Sequence, residues 1–186
     1  KGVPKLIYSI RVIVYLKNMD LHAMSALHVL QSEMKVDYLT SLRRFICWDL
    51  DVEAASEPEA KRSVESVIQR SYFLLNENKE GYWFDGLPNR GRSGESEYVV
   101  YQVKNKVAED FADLRASIDL KFNLKVTGLQ KSLLWEMGVK GRSQDALKER
   151  LLQDVLVTTS QKKGLLLNPL HEEGHCLPVA SCYVAN

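Results

Sequence analysis

The sequence predicts an α+β fold in which helices dominate and the β-sheet is small. Apolar residues recur with helical spacing in several segments, whereas dense β-branched alternation is confined to Leu6–Leu16 and Tyr98–Val103. A composition of 45% hydrophobic and 26% charged residues is typical of a globular protein. The 186 residues suffice for one generous domain or two small ones.

The chain opens with a strand and then a helix. In Leu6–Leu16 the apolar side chains alternate with Ser9 and Arg11, which predicts one buried face. From Asp20 onward the apolar spacing becomes helical, and the Asp20 carboxylate can accept hydrogen bonds from the first-turn amides.

Two more helices are predicted before residue 76. Val36–Leu50 carries Leu39, Leu42, Phe45 and Ile46 at helix-like intervals. The next helix starts at Ser56, which forms a capping box with Glu59, and Pro58 lies in the first turn, where its missing amide does no harm.

Residues 76–97 are predicted to form a long loop, because they are rich in glycine, asparagine and serine. Aromatic side chains that stack on bases and arginines that bind phosphates both occur in it, namely Tyr82, Trp83, Phe84, Arg90 and Arg92. The alternative interpretation, which we favour, is that Trp83 and Phe84 pack into the core while the arginines face water. Three adjacent exposed aromatic side chains are costly for a monomer.

The second strand, Tyr98–Val103, is predicted to pair with Leu6–Leu16 in the small sheet. An amphipathic helix should follow, because Val103, Val107, Phe111, Leu114 and Ile118 recur at intervals of three and four. No internal repeat stands out in the sequence.

A two-helix module is predicted for Leu124–Asp154. Thr127 can cap a first helix, and Gly138 follows its last apolar residue, where a left-handed C-cap favours glycine. After a short basic turn, Ser143 can cap a second helix. Leu129, Leu133 and Met137 give the first helix one apolar face, and the second carries Ala146, Leu147, Leu151 and Leu152.

This stretch resembles the SAP motif, a small two-helix module of chromatin and RNA-processing proteins, through Leu124, Val126, Leu129, Leu133, Gly138, Val139, Gly141, Leu147, Arg150 and Leu151. The resemblance implies contact with a nucleic-acid backbone through Lys125, Lys131, Lys140, Arg142, Lys148 and Arg150. Between residues 121 and 150, seven Lys or Arg oppose three acids, an excess of +4 that would favour phosphate contacts. A solvated helical face accounts for the same cations.

The C-terminal region contains His171-Glu-Glu-Gly-His175, which resembles the zinc metallopeptidase signature. Pro169 and Gly174 disfavour the helix that this motif needs, and no His, Asp or Glu follows His175 to supply a third ligand. A structural metal site is the alternative, with His171, His175, Cys176 and Cys182. The segment Gly174–Leu177 also resembles the nucleophile turn of cysteine proteases, but no histidine follows it.

These observations predict three regions: a core domain (1–120) with the long loop 76–97, the SAP-like module (121–158), and an irregular C-terminal tail (159–186). The most apolar run, Leu6–Leu16, is too short to span a bilayer, so no membrane partner is expected. Three cysteines, an odd and sparse set, favour a reducing compartment and hence an intracellular location in the nucleus or cytoplasm.

The leading hypothesis is a non-enzymatic binding or scaffold domain that contacts nucleic acid through the basic residues of the SAP-like module. The alternative is protein–protein interaction or self-association through the aromatic residues 82–84. A further alternative is a fragment of a zinc- or cysteine-dependent hydrolase that uses residues 171–176. No cofactor is expected under the first two hypotheses, and zinc is the candidate under the third.

Overall fold

The computed structural model describes residues 4–88, 97–140, 144–178 and 182–184. The helices in these ranges are α1 (Leu21–Ser32), α2 (Glu57–Arg70), α3 (Ala112–Phe122) and α4 (Gln144–Leu151), which continues into a π-helical turn, Leu152–Leu156. The strands are β1 (Leu6–Leu16), β2 (Leu39–Ala54), β3 (Glu80–Phe84), β4 (Leu87–Pro88), β5 (Glu97–Asn105), β6 (Val126–Val139), β7 (Glu172–Leu177) and β8 (Tyr183–Val184).

An antiparallel six-stranded sheet with the order β3-β1-β2-β6-β5-β7 dominates the fold. Strands hold 42% of the residues and helices 29%, so the predicted helix-dominated fold with a small sheet is wrong. β4 and β8 form a separate parallel pair. None of the helices in the described ranges is long and apolar enough to cross a membrane.

The first helix of the predicted SAP-like module is instead β6. Apolar residues four apart lie on one side of a helix, but they also lie on one face of a strand, because side chains there alternate with a period of two. Leu129, Leu133 and Met137 satisfy both patterns. Trp135 decides between them, since it shares their face only in a strand. The second predicted helix is present as α4, and Ser143 lies outside the described residues.

The predicted helix over Val36–Leu50 is also wrong, because β2 occupies most of this segment. Cys47 and Trp48 are neighbours that point to opposite faces, and both are buried. A strand buried on both faces carries a nearly continuous apolar run, which cannot be distinguished from a buried helix by periodicity alone.

The sheet also pairs differently from the prediction. β5 confirms the strand expected at Tyr98–Val103, but it pairs with β6 and β7, while β1 pairs with β2 and β3. The predicted loop 76–97 contains β3 and β4, and the predicted irregular tail contains β7. α3 begins only at Ala112, so Val107 is 82% exposed and does not belong to a helical face.

The predicted elements β1, α1 and α2 are confirmed as well. The Asp20 carboxylate accepts from the backbone N–H groups of His22 and Ala23 at 3.0 and 3.1 Å. At the start of α2, the Ser56 hydroxyl accepts from the Glu59 N–H at 3.4 Å, and the Glu59 carboxylate accepts from the Ala55 N–H at 3.0 Å.

The chain divides into two compact units, neither of which is continuous in sequence. Unit 1 comprises Lys1–Asn18, Ile46–Gly86 and Ala108–Lys131. Its core joins β1 and the second half of β2 to α2, α3 and the start of β6. The buried Trp48 side chain is fixed there, because its indole N–H donates to the Leu74 carbonyl at 2.9 Å.

Unit 2 comprises Met19–Phe45, Leu87–Val107 and Ser132–Asn186. Its core joins β5 and the second half of β6 to α1, α4 and the π-helical turn. The buried Tyr101 ring donates its hydroxyl to the Lys148 carbonyl at 3.0 Å. Burial raises the pKa of Tyr101 to about 12.

The order of elements repeats along the chain. β1-α1-β2-α2-β3 is followed by β5-α3-β6-α4-β7, and the strand order of the sheet reads the same from both edges under this correspondence. The strand pairing agrees, because Trp48 of β2 lies opposite Val12 and Trp135 of β6 lies opposite Tyr101. An acidic residue follows each tryptophan, Asp49 and Glu136. The fold therefore contains an internal structural repeat, although no repeat is evident in the sequence.

Candidate functional site

The segment with the zinc-peptidase resemblance lies in and just before the edge strand β7. His171 precedes the strand, and His175 lies opposite Gln102 of β5. His171 lies in a turn and His175 within the strand, so the helix that would place both imidazoles on one face is not formed. No group of three His, Cys, Asp or Glu side chains that could hold a metal occurs among the described residues.

The cysteines do not lie in the surroundings of a reactive thiol. Cys47 and Cys182 are buried, and Cys176 is half-buried against the core of unit 2. Burial raises the pKa of Cys176, which disfavours the nucleophilic thiolate. The surroundings of Cys176 therefore do not favour the cysteine-hydrolase interpretation.

The cations proposed for nucleic-acid contact divide between the two units. In unit 1, the Lys125 ammonium forms an ion pair with Glu53 at 2.6 Å, and this contact raises the pKa of Lys125. The Lys131 ammonium lies 5.2 Å from the ring centre of Trp48. Both lysines already have partners within the chain.

In unit 2, the Arg150 guanidinium lies over the Tyr38 ring, 4.4 Å from its centre. The Tyr38 hydroxyl donates to Asp154 at 3.1 Å, and burial together with that carboxylate raises the pKa of Tyr38. Lys140 is exposed and Lys148 is half-buried. Arg142, like Arg90 and Arg92 of the predicted aromatic loop, lies outside the described residues.

The aromatic residues 82–84 form most of β3 rather than a loop. Tyr82 and Phe84 pack against the core of unit 1, and the Tyr82 hydroxyl donates to Glu65 at 3.2 Å. Trp83 faces the other side of the strand and stacks on Tyr15, with ring centres 4.1 Å apart. The favoured interpretation therefore holds for Phe84, which packs against the core, but not for Trp83, which stacks on Tyr15 on the opposite side of the strand.

An ion pair in unit 2 joins the buried Glu136 carboxylate to the exposed Arg43 guanidinium. Glu136 is 1% exposed, and its carboxylate accepts hydrogen bonds from the Arg43 guanidinium and, at 2.8 Å, from the Tyr183 hydroxyl. Beside it in the sheet, the buried Gln102 amide donates to the Ser132 hydroxyl at 2.8 Å. Because these groups satisfy one another, the cluster has the character of a structural polar network.

One edge of β1 is open in unit 1. β1 pairs with β2 from Leu6 to Val14, whereas its pairing with β3 begins only at Val12. Leu6 and Ile7, in the part without a strand on that side among the described residues, are 59% and 60% exposed. Exposed apolar edge strands are uncommon, because they offer unpaired backbone groups to other chains.

The backbone on this edge points outward at alternate residues. The Arg11 carbonyl accepts from the Asp85 N–H at 3.0 Å, so Arg11 directs its backbone groups toward the β3 side. Since this direction alternates along a strand, the N–H and C=O groups of Ile7 and Ser9 point to the same side. The uncharged run Leu6–Ile10 is the sequence signal for this edge. Without the sheet order, however, this run does not distinguish an edge strand from an interior strand.

Comparisons with known proteins identify no relative that would indicate the function. No family model matches the chain, and neither a characterised protein nor a solved structure shows significant similarity to it.

Proposed function

We propose that this protein is a non-catalytic association domain that pairs with a second copy of itself along the open edge of β1. The observation that carries the proposal is the exposure of Leu6 and Ile7 on a strand whose backbone groups at Ile7 and Ser9 point outward. Addition of a strand to such an edge supplies main-chain hydrogen bonds and covers apolar side chains.

The chemistry of the edge favours a second copy as the occupant. In an antiparallel pair that places Ile7 opposite Ile7 of the second copy, Leu6 lies opposite Tyr8 and Lys5 lies opposite Ser9. Isoleucine, leucine and tyrosine are favourable cross-strand partners. No like charges oppose each other in this arrangement.

An opposite charge also lies within reach of Lys5 of the second copy. The Ser9 hydroxyl donates to the Asp51 carboxylate at 2.5 Å, so Asp51 lies beside the position that this lysine would occupy. Two strand spacings, about 10 Å, separate the backbones of the added strand and β2, which a lysine and an aspartate side chain can bridge. The edge is therefore complementary to itself in side-chain chemistry and in charge.

Sedimentation velocity over a range of protein concentrations tests the proposal. We expect a concentration-dependent dimer, because two five-residue strands form only a small interface. Ile7→Lys should abolish it by placing like charges side by side at the centre of the pair. Leu120→Lys is the matched control, because Leu120 is 92% exposed and lies on α3 rather than on β1.

Two results would refute the proposal. One is a wild-type protein that remains monomeric at the highest concentration reached, and the other is a dimer that Ile7→Lys leaves intact. A dimer weakened equally by Leu120→Lys would point to general charge repulsion, and would refute it as well.

A further inference from the structure

A cleft of about 550 Å³ lies in unit 1 where α2 and α3 end. Volumes of this size are typical of small-molecule sites. The part of the lining that matters here combines cations, an exposed aromatic ring and side-chain amides: Arg70, Lys121, Tyr72, Phe73, Gln69 and Asn78.

Lys121 is held in place at the cleft. Its ammonium group donates to the Arg70 carbonyl at 3.2 Å and lies 5.5 Å from the ring centres of both Phe73 and Phe122. An ammonium group has three N–H donors, so this single hydrogen bond leaves two for a ligand. A lysine fixed in this way loses little side-chain entropy when it binds an anion.

The charge of the lining favours an anion. Arg70 and Lys121 are two cations against the single carboxylate of Glu77, which leaves a net charge of +1. The Lys17 ammonium adds a third cation nearby, because it donates to the Glu77 carbonyl at 2.6 Å. The carbonyl ends of α2 and α3 carry partial negative charge, and the cations in their last turns, Arg70 and Lys121, counter it.

An aromatic surface lies beside these cations. Tyr72 is 71% exposed, so packing within the protein does not account for its ring. An exposed tyrosine ring is a stacking surface for a planar heteroaromatic group. The amides of Gln69 and Asn78 offer both donors and acceptors, which suit the polar edge of such a group.

We infer that this cleft binds a nucleotide unit, with the phosphate at Arg70 and Lys121 and the base stacked on Tyr72. A free nucleotide and one residue of a single-stranded nucleic acid share this chemistry. A bare anion would leave Tyr72 unused, and an uncharged aromatic compound would leave both cations without a counterion. The inference does not depend on pairing along β1.

Isothermal titration calorimetry of the full chain at low salt tests the inference with four probes: AMP, adenosine, inorganic phosphate and a single-stranded octadeoxyadenylate. We expect AMP to bind at one site per chain, with adenosine and phosphate each weaker by about ten-fold, because each makes only part of the contacts. The ten-fold ratio corresponds to about 1.4 kcal/mol, as expected for the loss of one stacking ring or one charged hydrogen bond.

Variants decide whether the binding occurs in the cleft. Arg70→Gln and Tyr72→Ala should each weaken AMP binding by about ten-fold. Arg62→Gln is the matched control, since it removes the same charge from an exposed position of α2 outside the cleft. It should leave AMP affinity unchanged, and thermal melting of each variant shows whether it is folded.

The source of the nucleotide follows from the relative affinities. Tighter binding of the octadeoxyadenylate than of AMP, lost in both cleft variants, identifies a nucleic-acid strand, and the opposite order identifies a free nucleotide. The inference is overturned if neither AMP nor the octadeoxyadenylate binds. It is also overturned if folded Arg70→Gln and Tyr72→Ala bind as wild type does, or if Arg62→Gln weakens binding as much as Arg70→Gln.

Discussion

At the scale of single residues, Trp48 and Trp135 occupy matching positions of the structural repeat but differ in the hydrogen bonding of their indole N–H groups. Both are buried, but only the Trp48 indole N–H has an acceptor, the Leu74 carbonyl. The Trp135 N–H is buried without a hydrogen-bond partner. Such a group has lost its hydration without compensation, which costs about 1–3 kcal/mol.

Replacing each tryptophan by phenylalanine should therefore have unequal effects. Both substitutions remove similar volume, but Trp48→Phe also leaves the Leu74 carbonyl unpaired, whereas Trp135→Phe removes an unsatisfied donor. We expect Trp48→Phe to lower the free energy of unfolding by about 1–3 kcal/mol more than Trp135→Phe. Urea unfolding of the two variants measures the difference, and equal losses would show that the Leu74 contact contributes nothing.

The acidic residues that follow the two tryptophans also differ in their burial and in their partners. Asp49 follows Trp48 and pairs with Arg11 at 2.7 Å on a partly exposed face, while Glu136 follows Trp135 and is itself buried, with hydrogen bonds from the exposed Arg43 and the half-buried Tyr183. In the sequence both appear only as single acids in an apolar run. Their partners come from distant segments, so no local pattern could reveal them.

At the scale of elements, the sequence predicted those whose signals are local. The caps at Asp20 and Ser56 mark α1 and α2 correctly, because side chain and amide are neighbours in the chain. β2 and β6 were mistaken for helices, because the first is buried on both faces and the second has apolar residues spaced by four. Burial in the tertiary structure determines that both segments are strands, and the spacing of apolar residues alone does not distinguish a strand from a helix there.

The candidate surfaces were harder to predict than the elements. The aromatic residues 82–84 were recognised, but most of their contacts lie within unit 1. Neither the edge at Leu6 and Ile7 nor the cleft at Arg70 and Tyr72 was predicted, because each depends on which segments become neighbours.

Proline substitutions at adjacent positions of β1 test which way its backbone points. Ile7→Pro removes an N–H that faces the open edge, so we expect a loss of unfolding free energy below about 1 kcal/mol. The N–H of Tyr8 faces β2, opposite Val52, so Tyr8→Pro should cost about 3 kcal/mol or more. Denaturation at low protein concentration separates this effect from self-association, and equal losses at both positions would contradict the open edge.

At the scale of the whole molecule, alkaline pH should lower stability through buried tyrosines. The pKa of Tyr101 is raised by burial from 10.0 to about 12, and that of Tyr38 is also raised. Below pH 10 both are protonated in the folded and unfolded states, so stability is fully present there. Between pH 10 and 12 mainly the unfolded tyrosine ionises, which removes roughly 2 kcal/mol for Tyr101 by pH 12.

The variant Tyr101→Phe isolates this contribution. It loses the hydrogen bond to the Lys148 carbonyl at every pH, so it should start less stable than wild type. Its stability should then fall less steeply above pH 10, and the gap between the two proteins should narrow. Urea unfolding at several pH values measures the gap, and a constant gap from pH 9 to 11.5 would show that Tyr101 ionises alike in both states.

The two units exchange segments along the chain, and this determines how the protein can be divided. Unit 1 takes α3 and the start of β6 from the second half of the sequence, and unit 2 takes α1 and the start of β2 from the first half. A cut between Pro88 and Glu97 separates the repeated sets of elements but leaves each core without one helix and part of a strand.

We therefore expect neither piece to fold alone, although each contains a full β-α-β-α-β set. In the piece ending at Pro88, Val64 and Ile68 of α2 would lose their packing against Ile118 and Val126 in the same core. An exposed core of this kind gives no cooperative transition. Mixing the two pieces should restore the circular dichroism spectrum and a cooperative thermal transition. A first piece that unfolds cooperatively without the second would show that the structural repeat, rather than the segment-exchanged unit, is the folding unit.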